Sequence, residues 1–413
     1  MAADDPTNNQ PLLARQPIFD RSMAVIAYEL LCRDSRENRA IIKDGDQASS
    51  QVLLRTFTDL TITDVVGPHK AFINFTRNLL LTPPPFSRNQ LVIEVLEDQL
   101  VDNRLLAALG QIRAQGYTIA LDDFTLNSSS FKMLEYADII KLDVLALNDQ
   151  ELRYHIKYLQ PLGVTLLAEK IETHEMLEHC KDLGFELFQG YFLSHPQIMS
   201  GKSYSENRQT IIQLLATLND PRTEIDKVEQ LIAQDPVISY KLLKLINSAA
   251  FHFVCKIESL RQAITLLGLI QIRSWVTLLS MANIDDKPRE LCVTTMVRAR
   301  FCQTLGEAVT GTKRGDTYFT AGLLSTLDAF MDSPLEELLK KISISETLSE
   351  ALLHYRGNEG EVLRIVMQYE KADWDAINWE FLEQRGVDES ALSHFYTESL
   401  VWVTSALESM VFD

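Results

Sequence analysis

The first 200 residues alternate short β-rich runs with amphipathic stretches. Apolar and β-branched residues cluster at 24–29, 71–76, 91–95, 118–121, 139–143, 165–169 and 187–189, which predicts strands there. Between them, 105–114 and 152–159 space apolar residues three and four apart, the period of a helix with one buried face. Strands alternating with helices imply βαβ units and a parallel sheet. Seven or eight strands in about 190 residues predict a compact TIM-like (β/α) barrel rather than an open sheet, with chemistry at the C-terminal ends of its strands.

After Pro196 the pattern changes. Residues 200–207 are polar, with one Gly and three Ser, and read as a linker. Beyond them β-rich runs vanish, and helical periodicity governs 210–218, 225–233, 237–246, 260–267, 270–281 and 295–309. Asp235-Pro236 is a helix start, with Asp as N-cap and Pro as the first helical residue. The predicted fold class is therefore α/β followed by all-α: a barrel unit over 1–199 (core 15–196), a linker over 200–207 and a helical unit over 208–413. Trp275, Trp374, Trp379 and Trp402 read as core or interface anchors. The acids and apolar residues of 380–413 read as solvated helices.

The chain has 413 residues and a net charge of −18, from 39 Lys and Arg against 57 Asp and Glu. Both halves share it: 18 basic and 27 acidic residues lie in 1–200, 21 and 30 in 201–413. The acidity weighs against a DNA or RNA polymer as partner, because such binding needs clustered cations. It weighs equally against a polybasic membrane-surface patch. Residues 1–10 have no apolar core and do not read as a secretory signal. No run reaches the roughly 18 apolar residues of a membrane span. Cys32, Cys180, Cys255, Cys292 and Cys302 form no CxxC pair, which suits a reducing, cytoplasmic setting.

The chemistry is carried by polar residues inside the apolar strands. Glu29, Asn74, Glu94, Asp122, Asp123, Lys141, Asp143, Glu169 and Gln189 each sit within or just after a predicted strand. A buried carboxylate is costly unless paired or metal-bound. Several strands delivering an acid or amide to one end point to a shared site for hard divalent cations, which take oxygen ligands. The absence of His and Cys from the set excludes a typical zinc site. The lone Lys141 suits a phosphate or a metal-associated water.

These motifs, in this order, resemble the EAL domain, a cyclic di-GMP phosphodiesterase and receptor domain. Glu29-Leu30-Leu31-Cys32-Arg33 stands for its Glu-Ala-Leu-x-Arg signature, with Gln16-Pro17-Ile18 before it. Asn74, Glu94-Val95-Leu96-Glu97, Asp122-Asp123-Phe124, Lys141-Leu142-Asp143, Ala168-Glu169-Lys170-Ile171-Glu172 and Gln189-Gly190-Tyr191 follow in sequence. The resemblance implies that Glu29, Asn74, Glu94 and Asp122 ligate one metal and Asp123 a second, with Glu169 close by. It implies Mg²⁺ or Mn²⁺, two ions in an active enzyme, with Lys141, Glu169 and Glu29 as the catalytic set and Lys141 orienting the attacking water. Gln16, Leu31, Arg33, Glu172 and Gln189 would bind substrate, Arg33 at a phosphate, and the product would be pGpG. Glu97 and Ser129 would anchor the loop after the paired aspartates. That loop departs from the family: Asp122-Asp123-Phe124-Thr125-Leu126-Asn127 has lost two glycines, and Lys170 replaces another.

The second half resembles the HDOD domain over 235–251 and 257–268, followed by Arg273-Ser274-Trp275. HDOD domains are similar to HD-type phosphohydrolases without their His-Asp ligands. Here His252, His354 and His394 are scattered and none precedes an Asp, so no catalysis is expected of this half. Its implied role is contact with a protein partner. The chain is read as an EAL–HDOD protein of cyclic di-GMP signalling, with a homodimer as a further implication. Two activities stand side by side: hydrolysis, favoured by the retained ligand set, and a non-catalytic receptor or adaptor role, favoured by the altered loop.

Overall fold

The computed structural model describes residues 12–33, 61–82, 87–126, 130–194 and 206–410, apart from 221, 249–250, 252, 254–255, 283, 285–286, 313–314 and 343. The expected linker at 200–207 lies almost wholly outside the described residues. The chain divides into two compact units, Met1–Leu193 and Ser194–Asp413.

In the first unit eight strands close into a barrel in sequence order. They are β1 (Leu12–Asp20), β2 (Val25–Arg33), β3 (Lys70–Phe75), β4 (Leu91–Val95), β5 (Thr118–Leu121), β6 (Ile139–Asp143), β7 (Thr165–Ile171) and β8 (Leu187–Gly190). Neighbours from β2 to β8 pair in parallel. The strand β1 was missed in the sequence, and it is antiparallel to both β2 and β8. Arg15-Gln16-Pro17 interrupts its apolar pattern, which hid it. Its direction follows from the short turn to β2, since parallel strands need a crossover of a dozen or more residues. Asp20 closes that turn by accepting hydrogen bonds from the backbone N–H of Ser22 (2.8 Å) and Ala24 (3.0 Å).

The barrel is filled by a layer with one residue from each strand: Ile18, Ala27, Phe72, Val92, Ala120, Ile139, Leu167 and Leu187. All eight are buried. Side chains alternate faces along a strand, so a residue two positions further on points into the barrel again, one layer higher. Counting two toward the C-terminal end gives Glu29, Asn74, Glu94, Asp122, Lys141, Glu169 and Gln189. Counting two back along the antiparallel β1 gives Gln16. The apolar layer thus carries a polar layer on top of it.

One irregularity shapes that upper layer. The pairing of β7 with β8 shifts register between Ala168 and Ile171, a bulge across Glu169 and Lys170. Lys170 there has φ +60°. Gly190 of β8 packs so closely on the bulge that a Cβ would lie 2.0 Å from the Ile171 carbonyl oxygen. Only glycine fits at that position.

The second unit is helical. Asp235 caps the helix Pro236–Ile246, accepting from the N–H of Val237 and Ile238, as the Asp-Pro signal predicts. The long helix Arg289–Thr310 is buried along most of its length and packs against Asp316–Leu324, Gly357–Glu370 and Glu389–Met410. A Cβ on Gly322 would meet Ala299 Cα at 2.7 Å, which fixes glycine at the first of these crossings. Two aromatic clusters fill the core: Trp275 with Phe319, Trp402 and Phe251, and Tyr369 with Phe301, Trp374 and Tyr396. The expectation of solvated helices over 380–413 is corrected here. Leu392, Tyr396, Leu400, Val403 and Ala406 of Glu389–Met410 are buried, because this helix lays an apolar face on Arg289–Thr310. No helix among the described residues is long and apolar enough to cross a membrane.

Candidate active site

The polar layer converges on one cation. Lys141 is fully buried, and its Nζ lies 2.6 Å from Glu94 Oε1, 2.7 Å from Asp122 Oδ1, 2.7 Å from Glu169 Oε1 and 3.4 Å from Glu29 Oε2. Four strands therefore bring carboxylates around an ammonium supplied by a fifth. Gln189 Nε2 donates to Glu29 Oε2 at 2.5 Å and to Gln16 Oε1 at 2.8 Å, tying β8, β2 and β1 together at the same level.

The charges do not balance. Four carboxylates face one ammonium, so a fully ionised cluster would carry −3 in a buried space. Burial, with Glu29 and Asp122 nearby, pushes Glu94 well above the usual carboxylate range. Burial likewise raises Glu169 to about 8, although Lys141 pulls it down. Burial opposes the charge of Lys141, but Glu29, Glu94, Glu169 and Asp122 together hold its pKa well above normal. The metal-free site thus keeps Lys141 charged and favours the protonated forms of Glu94 and Glu169.

Several buried acceptors have no donor. Asn74 Oδ1, both Glu94 carboxylate oxygens and Gln189 Oε1 make no aligned hydrogen bond among the described residues. The close Lys141–Glu94 contact is an ion pair off the hydrogen-bond axis. Buried oxygens left without donors are unusual. An all-oxygen set of carboxylates and an amide suits a hard divalent cation. As the side chains stand, with Lys141 Nζ among the carboxylates, no group of three or more His, Cys, Asp or Glu among the described residues is spaced to hold an ion.

The remaining predicted residues lie around this cluster. Asp123 follows Asp122 with φ +40° and is not among the Lys141 partners. Leu31 and Arg33 continue the inward face of β2 beyond Glu29 and are half-buried. Glu97, just past β4, and Glu172, just past β7, are exposed. Ser129 lies outside the described residues.

Two contacts at this end of the barrel were not foreseen. His155, buried on the helix Asp149–Leu159, accepts the Leu126 N–H at Nε2 (3.2 Å) while Nδ1 donates to the Glu151 carbonyl (2.8 Å). Both bonds together require the neutral imidazole with its proton on Nδ1. His155 thereby holds the loop that has lost its glycines. Lys170 is the second: its Nζ donates to Asp143 Oδ2 at 2.5 Å and lies 3.6 Å from Asp123 Oδ1. Neither was legible from motif spacing, because both act across elements far apart in sequence.

Two family profiles match the chain. The EAL domain profile matches residues 46–196 and the HDOD domain profile residues 207–351. The protein YuxH of Bacillus subtilis is 33% identical over 408 residues, covering 96% of this chain and 99% of its own length. The chain belongs to the EAL–HDOD family. Cyclic di-GMP phosphodiesterase CdgJ of Vibrio cholerae is 31% identical over 377 residues, covering 90% of this chain and 87% of its own. Among solved structures, the calcium and cyclic di-GMP complex of Klebsiella pneumoniae BlrP1 is similar with a TM-score of 0.38 and 22% identity, covering 46% of this chain and 57% of that one. The matched EAL segment begins after Gln16 and Glu29, which enter the barrel on β1 and β2.

Proposed function

We propose that the EAL unit hydrolyses one phosphodiester bond of cyclic di-GMP to give pGpG, and that the HDOD unit passes the signalling state to a protein partner. One observation carries the catalytic reading: seven consecutive strands each place a polar side chain inward, one layer above the apolar core, around a buried cluster short of positive charge. The division into an EAL part over 1–199, a linker over 200–207 and an HDOD part over 208–413 belongs to this proposal. So does self-association of the full chain, which light scattering with and without the nucleotide tests.

Glu29, Asn74, Glu94 and Asp122 would hold a Mg²⁺ or Mn²⁺ ion, with Asp123 and Glu169 beside them. Bound there, such ions supply charge stabilisation at the phosphoryl group and acidify a water. The chain supplies the rest. Lys141, fixed by β6 and kept charged by its neighbours, holds the attacking water in line with the phosphorus. Glu169, 2.7 Å from the Lys141 ammonium, would take up or release the proton beside that water. Glu29 is steadied by Gln189, and Gln16, Leu31, Arg33, Glu172 and Gln189 would line the nucleotide pocket, with Arg33 facing a phosphate. Water adds to phosphorus, the P–O3′ bond breaks, and the leaving oxygen takes up a proton.

The test is incubation of the full chain with cyclic di-GMP and Mn²⁺ or Mg²⁺, with chromatography for pGpG and Glu29→Ala as control. The proposal expects product from the wild type only. Tight binding without product would make the protein a receptor, and neither binding nor product would leave only protein contact.

A further inference from the structure

The family glycine in the Ala-Glu-Gly segment is Lys170 here, and the structure gives that lysine a definite place. Its backbone keeps a glycine-like φ of +60°, a conformation that disfavours a residue with a Cβ. The bulge on β7, pinned by Gly190, enforces it. Its ammonium crosses to two acids on other elements, Asp143 at the end of β6 and Asp123 after β5. Asp143 Oδ1 already accepts the N–H of Leu145 (2.8 Å) and Ala146 (3.0 Å), so Oδ2 is the oxygen left for a cation, and Lys170 takes it. Asp123 is also strained, at φ +40°, and faces the same ammonium.

We propose that the Lys170 ammonium serves as a tethered cation at the Asp123–Asp143 edge, so that the chain takes one divalent ion where its family relatives are expected to take two. This rests on the metal reading of the Glu29, Asn74, Glu94 and Asp122 cluster. At this edge two carboxylates already face one ammonium, a net −1, whereas the four carboxylates around Lys141 leave −3, so a divalent ion is drawn to the cluster and not to Asp123. The two ammonium groups contact different acids: Lys141 contacts Glu29, Glu94, Asp122 and Glu169, and Lys170 contacts Asp123 and Asp143. One ion in the cluster and one lysine at its edge divide the acids between them.

Counting bound ions tests it without any turnover. Chelator-stripped full chain is titrated with Mn²⁺ while electron paramagnetic resonance follows the free ion. The expected result is one tightly bound Mn²⁺ per wild-type chain and two per Lys170→Gly chain, the second site tightening at least about tenfold. Glycine is at ease at φ +60°, so this variant keeps the bulge. Lys170→Asn, which also tolerates that conformation, is expected to gain the second ion too. Two tight ions in the wild type would overturn the proposal, as would a single ion in both variants with native circular dichroism. No tight ion in the wild type would overturn the metal reading itself, a different failure with a different signature.

Discussion

Each unit of the chain buries charge, and the two do it differently. In the HDOD unit Arg298 meets Glu370, with guanidinium-to-carboxylate distances of 2.7 and 2.9 Å, and the third guanidinium nitrogen donates to Ser325 Oγ at 3.1 Å. Burial opposes the arginine's charge there and Glu370 restores it, so its pKa stays high. One cation meets one anion. In the EAL unit one lysine meets four carboxylates, and Glu94 and Glu169 respond by holding protons more tightly. A balanced buried pair needs nothing further to exist as a folded structure. An unbalanced cluster lowers its free energy by taking up protons or a cation, which makes it sensitive to ligand and pH.

Mutations can break this contrast. The largest expected effect is on catalysis: Glu29→Ala should lower pGpG formation about a thousandfold or more, measured at saturating Mn²⁺. Its metal-free thermal stability should change little or rise, because one of four crowded acids is gone. Arg298→Met should do the reverse. It takes the guanidinium from the largely buried Glu370 carboxylate and should cost about 3–5 kcal/mol in denaturant unfolding of the HDOD unit. If both substitutions destabilise the metal-free chain equally, the contrast is wrong.

The pH dependence sharpens it. Glu169 moves from an ordinary 4.5 to about 8, and Glu94 is raised as well. A carboxyl that binds its proton more tightly when folded adds stability that is whole below its unfolded value and is lost as pH rises through its folded value. The metal-free EAL unit should therefore lose stability between about pH 4.5 and pH 8, by a few kcal/mol, and added Mn²⁺ should remove the slope. Melting temperatures across that range, with and without chelator, check both halves of the statement. Mn²⁺ affinity should rise with pH over the same window.

A smaller effect is expected at the loop. His155→Phe removes the acceptor of the Leu126 N–H and should cost about 1–2 kcal/mol of stability. The same change should slow turnover, since Leu126 lies only three residues past Asp123. His155→Gln, which can still accept, should recover part of each loss in the same assays.

The sequence determined more of the barrel than of its closure. Short runs of apolar and β-branched residues mark β2 through β8, and the polar residue at or near the end of each run is visible as an acid, amide or lysine in an apolar context. That placement is local, because alternation along a strand fixes the face without reference to any partner. The Asp235 cap and the Pro236 start were legible for the same reason. The tertiary structure alone decided what those side chains meet. It turned β1 antiparallel and brought Gln16 beside Gln189, 173 residues away. It buried the helix Glu389–Met410, whose mixed composition reads as solvated. It set His155 against Leu126 and Lys170 against Asp123 and Asp143. A strand's period says which way a residue points, but the residue it then faces comes from elsewhere in the chain, and only barrel closure and helix packing choose it.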